Sequence, residues 1–224
     1  MDPLTALAAI TVVVLSVTTH EAAHGFVADR FGDSTAREAG RLTLNPIPHI
    51  DLIFTIALPA ILILTGSPII FGGAKPVPVN IARLRHPRRD WALVGAAGPA
   101  SNLAIAVALC LILSVLRHTG LLGPASGGTE VLGIGVFVNV LLALFNLIPV
   151  PPLDGSRIVQ YFLGDAELLV YRRIEQYGLF VILGLVLFIP GFTKSVAAGV
   201  FACVGLLGTI FGVGPELASV LGGS

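Results

Sequence analysis

Two histidines and a glutamate in the run His20-Glu21-Ala22-Ala23-His24 are the residues of this chain best suited to chemistry. On a helix, residues i and i+4 share a face, so both rings can turn a nitrogen toward one metal ion. Glu21 projects beside them, where a carboxylate can hold a water on that ion and take its proton. With this chain's own His and Glu frequencies, HExxH arises by chance roughly 0.3% of the time in a sequence of this length. The motif closes an apolar stretch that begins at Leu4. Ionisable groups at membrane depth cost at least about 2.5 kcal/mol each, which favours metal ligation over a pair of satisfied interior histidines.

The elements that must position these residues are membrane helices. The chain has 224 residues, 55% of them hydrophobic and 12% charged, against roughly 25% charged in soluble domains. Apolar runs fall at 4–28, 52–71, 91–116, 131–149, 177–189 and 196–213, and about 20 residues of helix cross the hydrocarbon. This pattern predicts an all-α polytopic membrane protein with five to six transmembrane helices. Its first run reads as a retained transmembrane helix and not as a signal peptide, because no basic segment precedes it. The fifth run is short and turns through Pro190-Gly191 into the sixth, which predicts a helical hairpin at about 174–214. Between the first and third runs, the prolines of Lys75-Pro76-Val77-Pro78 and Asn45-Pro46-Ile47-Pro48 exclude helix and predict an extended or re-entrant region. No linker or tail is long enough for a soluble module, so residues 1–224 read as a single membrane-embedded domain with its catalytic core at about 4–160. Zero formal net charge gives no basis for nucleic acid as a partner. Cys110 and Cys203 lie inside apolar runs without ligand spacing and read as packing residues.

Two histidines leave a catalytic metal short of a third protein ligand and an open position. A local continuation would need Gly at 27 and His at 30, where Val27 and Arg30 stand. The third ligand must therefore come from a distant segment. Asp90 and Glu130 sit beside charged or Gly-rich loops and read as solvated. Asp154 and Asp51 remain, and Asp154 is favoured. It ends Pro149-Val150-Pro151-Pro152-Leu153-Asp154-Gly155 directly after an apolar helix, where prolines break the helix and Gly155 lets the chain turn.

His20-Glu21-Ala22-Ala23-His24, Gly98-Pro99-Ala100-Ser101-Asn102, and Asn146 followed downstream by Asp154-Gly155 together resemble the site-2 proteases, the intramembrane zinc metalloproteases. Gly40-Arg41-Leu42-Thr43-Leu44-Asn45-Pro46 and Ala74-Lys75-Pro76-Val77-Pro78-Val79-Asn80 are similar to a compact prokaryotic branch without PDZ or CBS modules. The resemblance covers about residues 10–160, and in this chain no transmembrane helix stands before the HExxH helix. It implies one Zn2+ bound by His20, His24 and Asp154, with Glu21 as catalytic base and Asn146 contacting substrate or helping to stabilise the oxyanion. It also implies a transmembrane protein as substrate and the lipid bilayer as surroundings. A transporter with a regulatory metal is the rival reading, but it has no need of a non-ligand carboxylate between two histidines, and internal repeats are absent.

If His20, His24 and Asp154 share one ion near the C-terminal ends of their helices, those helices run parallel and an odd number of crossings separates them. One of the two intervening runs then does not cross, and 52–71, interrupted by Pro59 and Gly66-Ser67-Pro68, is the one expected to re-enter. Eleven of the thirteen Lys and Arg residues then share one side, against eight if the run crosses. The positive-inside rule prefers the first arrangement, with the N-terminus outside and the site toward the cytoplasmic face of the cell membrane. His49 and Asp51 read as a hydrogen-bonded loop anchor or as support for the site. His86 reads as a solvated basic residue, and His118 as a partner of helix-end carbonyls. Asn102 is expected to bond the catalytic segment, and Asn139 to bridge helices.

Overall fold

The computed structural model describes residues 2–52, 57, 61, 64 and 73–222. The described residues form helices joined by turns, with no strand among them. In chain order they are α1 (Pro3–Arg30), α2 (Thr35–Glu38), α3 (Pro87–His118), α4 (Gly127–Asn146), α5 (Asp154–Phe162), α6 (Asp165–Glu175), α7 (Gly178–Phe188), α8 (Pro190–Phe211) and α9 (Gly214–Val220). Single 3-10 turns occur at Ile47–His49 and Ile81–Arg83.

Helix starts follow the sequence chemistry. Asp2 caps α1 by accepting the Leu4 and Thr5 amides, with Pro3 at the first helical position. The hydroxyls of Thr11, Ser16, Thr18 and Thr19 bond back to carbonyls one turn earlier, so an apolar helix of this length carries no idle hydroxyl at those positions. At the start of α3, Asp90 accepts the His86 amide in the manner of a capping box. Ser126 caps α4 by accepting the Thr129 amide.

Among the described residues, four helices are long and apolar enough to cross a membrane: α1, α3, α4 and α8. The protein is a multi-pass membrane protein. With 11 residues and about 1.5 Å of rise for each, α7 is too short to cross alone, yet it packs on α8 as the expected hairpin. Pro190-Gly191, expected to form the turn, instead opens α8, where a proline's missing N–H costs nothing. The break falls on Ile189. The expected re-entrant run 52–71 lies almost wholly outside the described residues.

Neighbouring residues fix the helix directions. Gly127 lies against Thr5, Gly135 against Val12, and Asn139 bonds Ser16, so α1 and α4 run parallel. His24 meets Val94 and His20 meets Asn102, so α3 runs antiparallel between them. The Phe31 carbonyl accepts the Arg85 amide at 3.0 Å, so the chain leaves α1 and enters α3 at the same end. The apolar core packs Ala106, Cys110, Leu113, Val136, Val140, Val200 and Val204 between α3, α4 and α8, with Cys203 at its edge. Leu7, Ile10, Leu111, Phe201 and Ile210 face outward, as a lipid-exposed surface requires.

Candidate metal centre

His20 and His24 lie on the α1 face that α3 covers, and both are buried. His20 Nε2 lies 3.0 Å from Asp154 Oδ2, His24 Nε2 lies 3.2 Å from the same oxygen, and the two ring nitrogens are 3.2 Å apart. Ligands about 2.0–2.1 Å from a tetrahedral zinc stand roughly 3.3 Å from one another, so these atoms occupy three vertices of such a site. Among the described residues this is the group of His, Cys and acidic side chains that can hold a metal, and Asp51 is not part of it.

The protonation of the rings supports the same reading. His20 Nδ1 lies 2.5 Å from Asn102 Oδ1, and His24 Nδ1 lies 2.6 Å from the Val94 carbonyl. Both partners are acceptors, so both Nδ1 atoms carry protons and each ring is left to offer its Nε2 lone pair to a metal. The orientation of Asn102 is itself determined. Ser16 Oγ donates to the Val12 carbonyl and accepts from Asn139 Nδ2, which also donates to the Gly135 carbonyl. Asn139 Oδ1 must then accept, and Asn102 Nδ2 donates to it at 2.8 Å. Asn102 Oδ1 is left for His20. A chain of buried amides from α4 through α3 thus sets the tautomer of a residue on α1. Two lone pairs and a carboxylate oxygen converge on one point, an arrangement that calls for a cation.

The peptidase family M50 model matches residues 123–189. The chain is 40% identical over 179 residues to "Putative zinc metalloprotease YwhC" of Bacillus subtilis, covering 79% of this chain and 78% of that protein. It is 31% identical over 178 residues to "Putative zinc metalloprotease Rip2" of Mycolicibacterium smegmatis, covering 78% of this chain and 64% of that protein. A shorter match of 71 residues, 30% identical, links it to "Putative zinc metalloprotease MJ0611" of Methanocaldococcus jannaschii. No solved structure matches. The chain belongs to peptidase family M50, the site-2 proteases. It is a zinc metalloendopeptidase.

In this site-2 protease Asp154 does not end a helix. It opens α5, and its Oδ1 meets Arg157 Nη1 at 3.2 Å, which leaves Oδ2 to face the two histidine rings. Burial alone pushes the Asp154 carboxyl up. The two histidine rings and the Arg157 guanidinium beside it outweigh that and hold the group well below the usual carboxylate range. The Arg157 guanidinium stacks 4.6 Å from the Trp91 ring centre. Arg157 and the Val94 carbonyl were not legible as site groups from motifs, although Arg157 stands one helical turn after Asp154.

Residues 75–80 form a non-helical strap beside the catalytic motif. The Val77 amide donates to Glu21 Oε2 at 3.0 Å. The Lys75 amide bonds the His49 carbonyl, Arg41 Nη2 donates to the Lys75 carbonyl at 2.6 Å, and the Asn80 amide bonds the buried Asp33 carboxylate. His49 Nε2 is 3.0 Å from the Thr43 carbonyl, so His49 serves as a loop anchor. His86 flanks the start of α3, and His118 Nδ1 donates to the Ser114 carbonyl at a helix end. Asn146, the last residue of α4, is not joined to the metal cluster by any hydrogen bond among the described residues; its Nδ2 donates to Leu142 O at 2.9 Å. Asn139→Leu frees the Asn102 amide to turn and is expected to weaken zinc binding about 10–100-fold, read by chelator competition; unchanged affinity would remove the amide chain from the site.

Proposed function

We propose that this chain is an intramembrane endopeptidase that cleaves transmembrane protein substrates, built as one membrane-embedded domain over residues 1–224. His20, His24 and Asp154 would hold the zinc. The observation that carries this reading is the convergence of two histidine ring nitrogens, both on a membrane-length helix, with one carboxylate oxygen at 3.0–3.2 Å. When bound, zinc supplies Lewis acidity and brings the acidity of a water into the neutral range. Glu21 takes the proton from the attacking water and delivers it to the leaving amide nitrogen. The Val77 N–H on Oε2 orients that carboxylate, leaving Oε1 for the water. Asn146, by swinging its amide off the Leu142 carbonyl, would donate to the developing oxyanion. A substrate helix hides its peptide bonds in its own ladder, so it must unwind locally, and residues 73–80 offer extended backbone beside Glu21 for the freed strand. Purified full-length protein and a transmembrane peptide test the proposal, with Glu21→Gln alongside. Cleavage by wild type alone is expected; equal cleavage by both ends this mechanism.

The active site is proposed to face the cytoplasmic side of the cell membrane. Exit from α1 and entry to α3 at one end support it, because residues 30–90 then begin and end on one side with most of the basic residues. A cysteine introduced at position 66 or 68 is expected to stay unlabelled by an impermeant thiol reagent applied outside intact cells. Labelling there would reverse the arrangement.

A further inference from the structure

A small cleft opens where the start of α3, the end of α5 and α6 meet. Pro87, Arg88 and Trp91 line it from α3, Gln160 from α5, and Leu168 and Arg172 from α6. Three kinds of donor converge there. The first turn of α3 forms one wall, and the positive end of this 32-residue helix, whose one acid in that turn, Asp90, is paired with Arg89, favours an anion. Gln160 is only 5% exposed, yet its side-chain Nε2 has no hydrogen-bond partner among the described residues, a state native proteins rarely leave unexplained. The Arg172 guanidinium makes no ion pair among the described residues. Arg88 Nη2 donates to the Leu163 carbonyl and to Asp165 Oδ1, each at 3.0 Å, so its position is fixed. None of the lining residues is acidic, and the Asp165 side chain is 96% exposed.

Size and surroundings select the anion. The cleft has a volume of about 50 Å³, far below the roughly 300–1,000 Å³ of sites that enclose a whole small molecule. It suits one phosphate-sized group whose remainder lies outside. That exterior is apolar: Phe162 on α5, and Leu169, Val170 and Ile174 on α6, are exposed. Exposed apolar residues beside Arg172 and Arg173 give α6 the character of a helix lying in the membrane interface. Trp91 stands at the cleft as interfacial tryptophans do. We propose that the cleft binds the headgroup phosphate of an anionic membrane phospholipid, with Gln160, Arg172 and the start of α3 as donors and the acyl chains along the apolar rim. The occupant touches the Trp91 ring on which Arg157 stacks, and Arg157 holds the free oxygen of Asp154.

Trp91 is the chain's single tryptophan and reports on the cleft directly. The full chain is reconstituted in phosphatidylcholine bilayers carrying a small, equal fraction of brominated phosphatidylglycerol or brominated phosphatidylcholine. Trp91 fluorescence is expected to be quenched severalfold more strongly by the anionic lipid. Arg172→Gln, at an exposed and unpaired residue, is expected to lower that preference about fivefold, the contribution of one arginine to anionic-lipid attraction. Arg173→Gln, outside the cleft, is expected to leave most of it. Equal quenching by the two headgroups in wild type, or equal loss in both arginine variants, overturns the proposal. Abolition of the preference by millimolar inorganic phosphate also overturns it, since the site would then take a free anion.

Discussion

Glu21→Gln is expected to keep one zinc per chain and to lose cleavage of a transmembrane peptide by about 10²–10⁴-fold, the range that a positioned acid–base group supplies. The two side chains are close in size, and a glutamine carbonyl oxygen can still accept the Val77 amide that Glu21 Oε2 accepts now at 3.0 Å. The strap therefore stays in place, as do Asn102 and Val94 on the two ring Nδ1 atoms. What disappears is the ability to take a proton at neutral pH. Metal content by mass spectrometry and cleavage rate together separate this outcome from a folding defect. His20→Ala, which deletes a proposed ligand, should lose both readouts. A Glu21→Gln protein that holds zinc and cleaves at the wild-type rate would show that the base is another residue.

The metal motif was legible because its spacing is local. His20 and His24 lie one helical turn apart, and any helix through them brings them to one face. Asp154 was only favoured over Asp51, because a distant ligand depends on how helices approach, which no local pattern encodes. The approach rests partly on Gly155, where a Cβ would lie 2.2 Å from the Leu147 carbonyl oxygen. The sequence marked this glycine as a turn, and the structure makes it the point where the loop from α4 folds back on the helix it left. The expectation that Asp154 belongs to a helix C-terminus was wrong in detail: the chain starts a new helix there. The parallel course of α1 and α4 that followed from it nevertheless holds, since the loop is short. Asn139 was read as a bridge between helices; it is one, through Ser16, and it also fixes Asn102 and hence the His20 tautomer. The Val94 carbonyl could not be read at all, because every residue offers a carbonyl and only packing selects one.

Gly98→Ala should strike the histidine pair directly. A Cβ at position 98 would lie 2.5 Å from His24 Nε2 and 2.6 Å from His20 Nε2, where 3.0 Å is already closer than real contacts come. These are the two nitrogens that converge on Asp154 Oδ2. The rings have no easy retreat, since their Nδ1 atoms are tied to Asn102 and to the Val94 carbonyl, both on the helix that carries the new methyl. Moving α3 away breaks those bonds, and rotating the rings turns their lone pairs off the common point. Zinc affinity is therefore expected to fall at least about 100-fold, beyond the usual loss of one supporting contact. Overpacking adds a destabilisation of about 1–3 kcal/mol. Gly205→Ala is the matched control, because nothing lies within 4 Å of a Cβ there and the residue sits inside α8. Alanine at 205 should be neutral or stabilise by up to about 1 kcal/mol, with zinc binding unchanged. Wild-type zinc affinity in Gly98→Ala, measured by chelator competition beside that control, would mean that α1 and α3 do not approach as closely as the metal site requires.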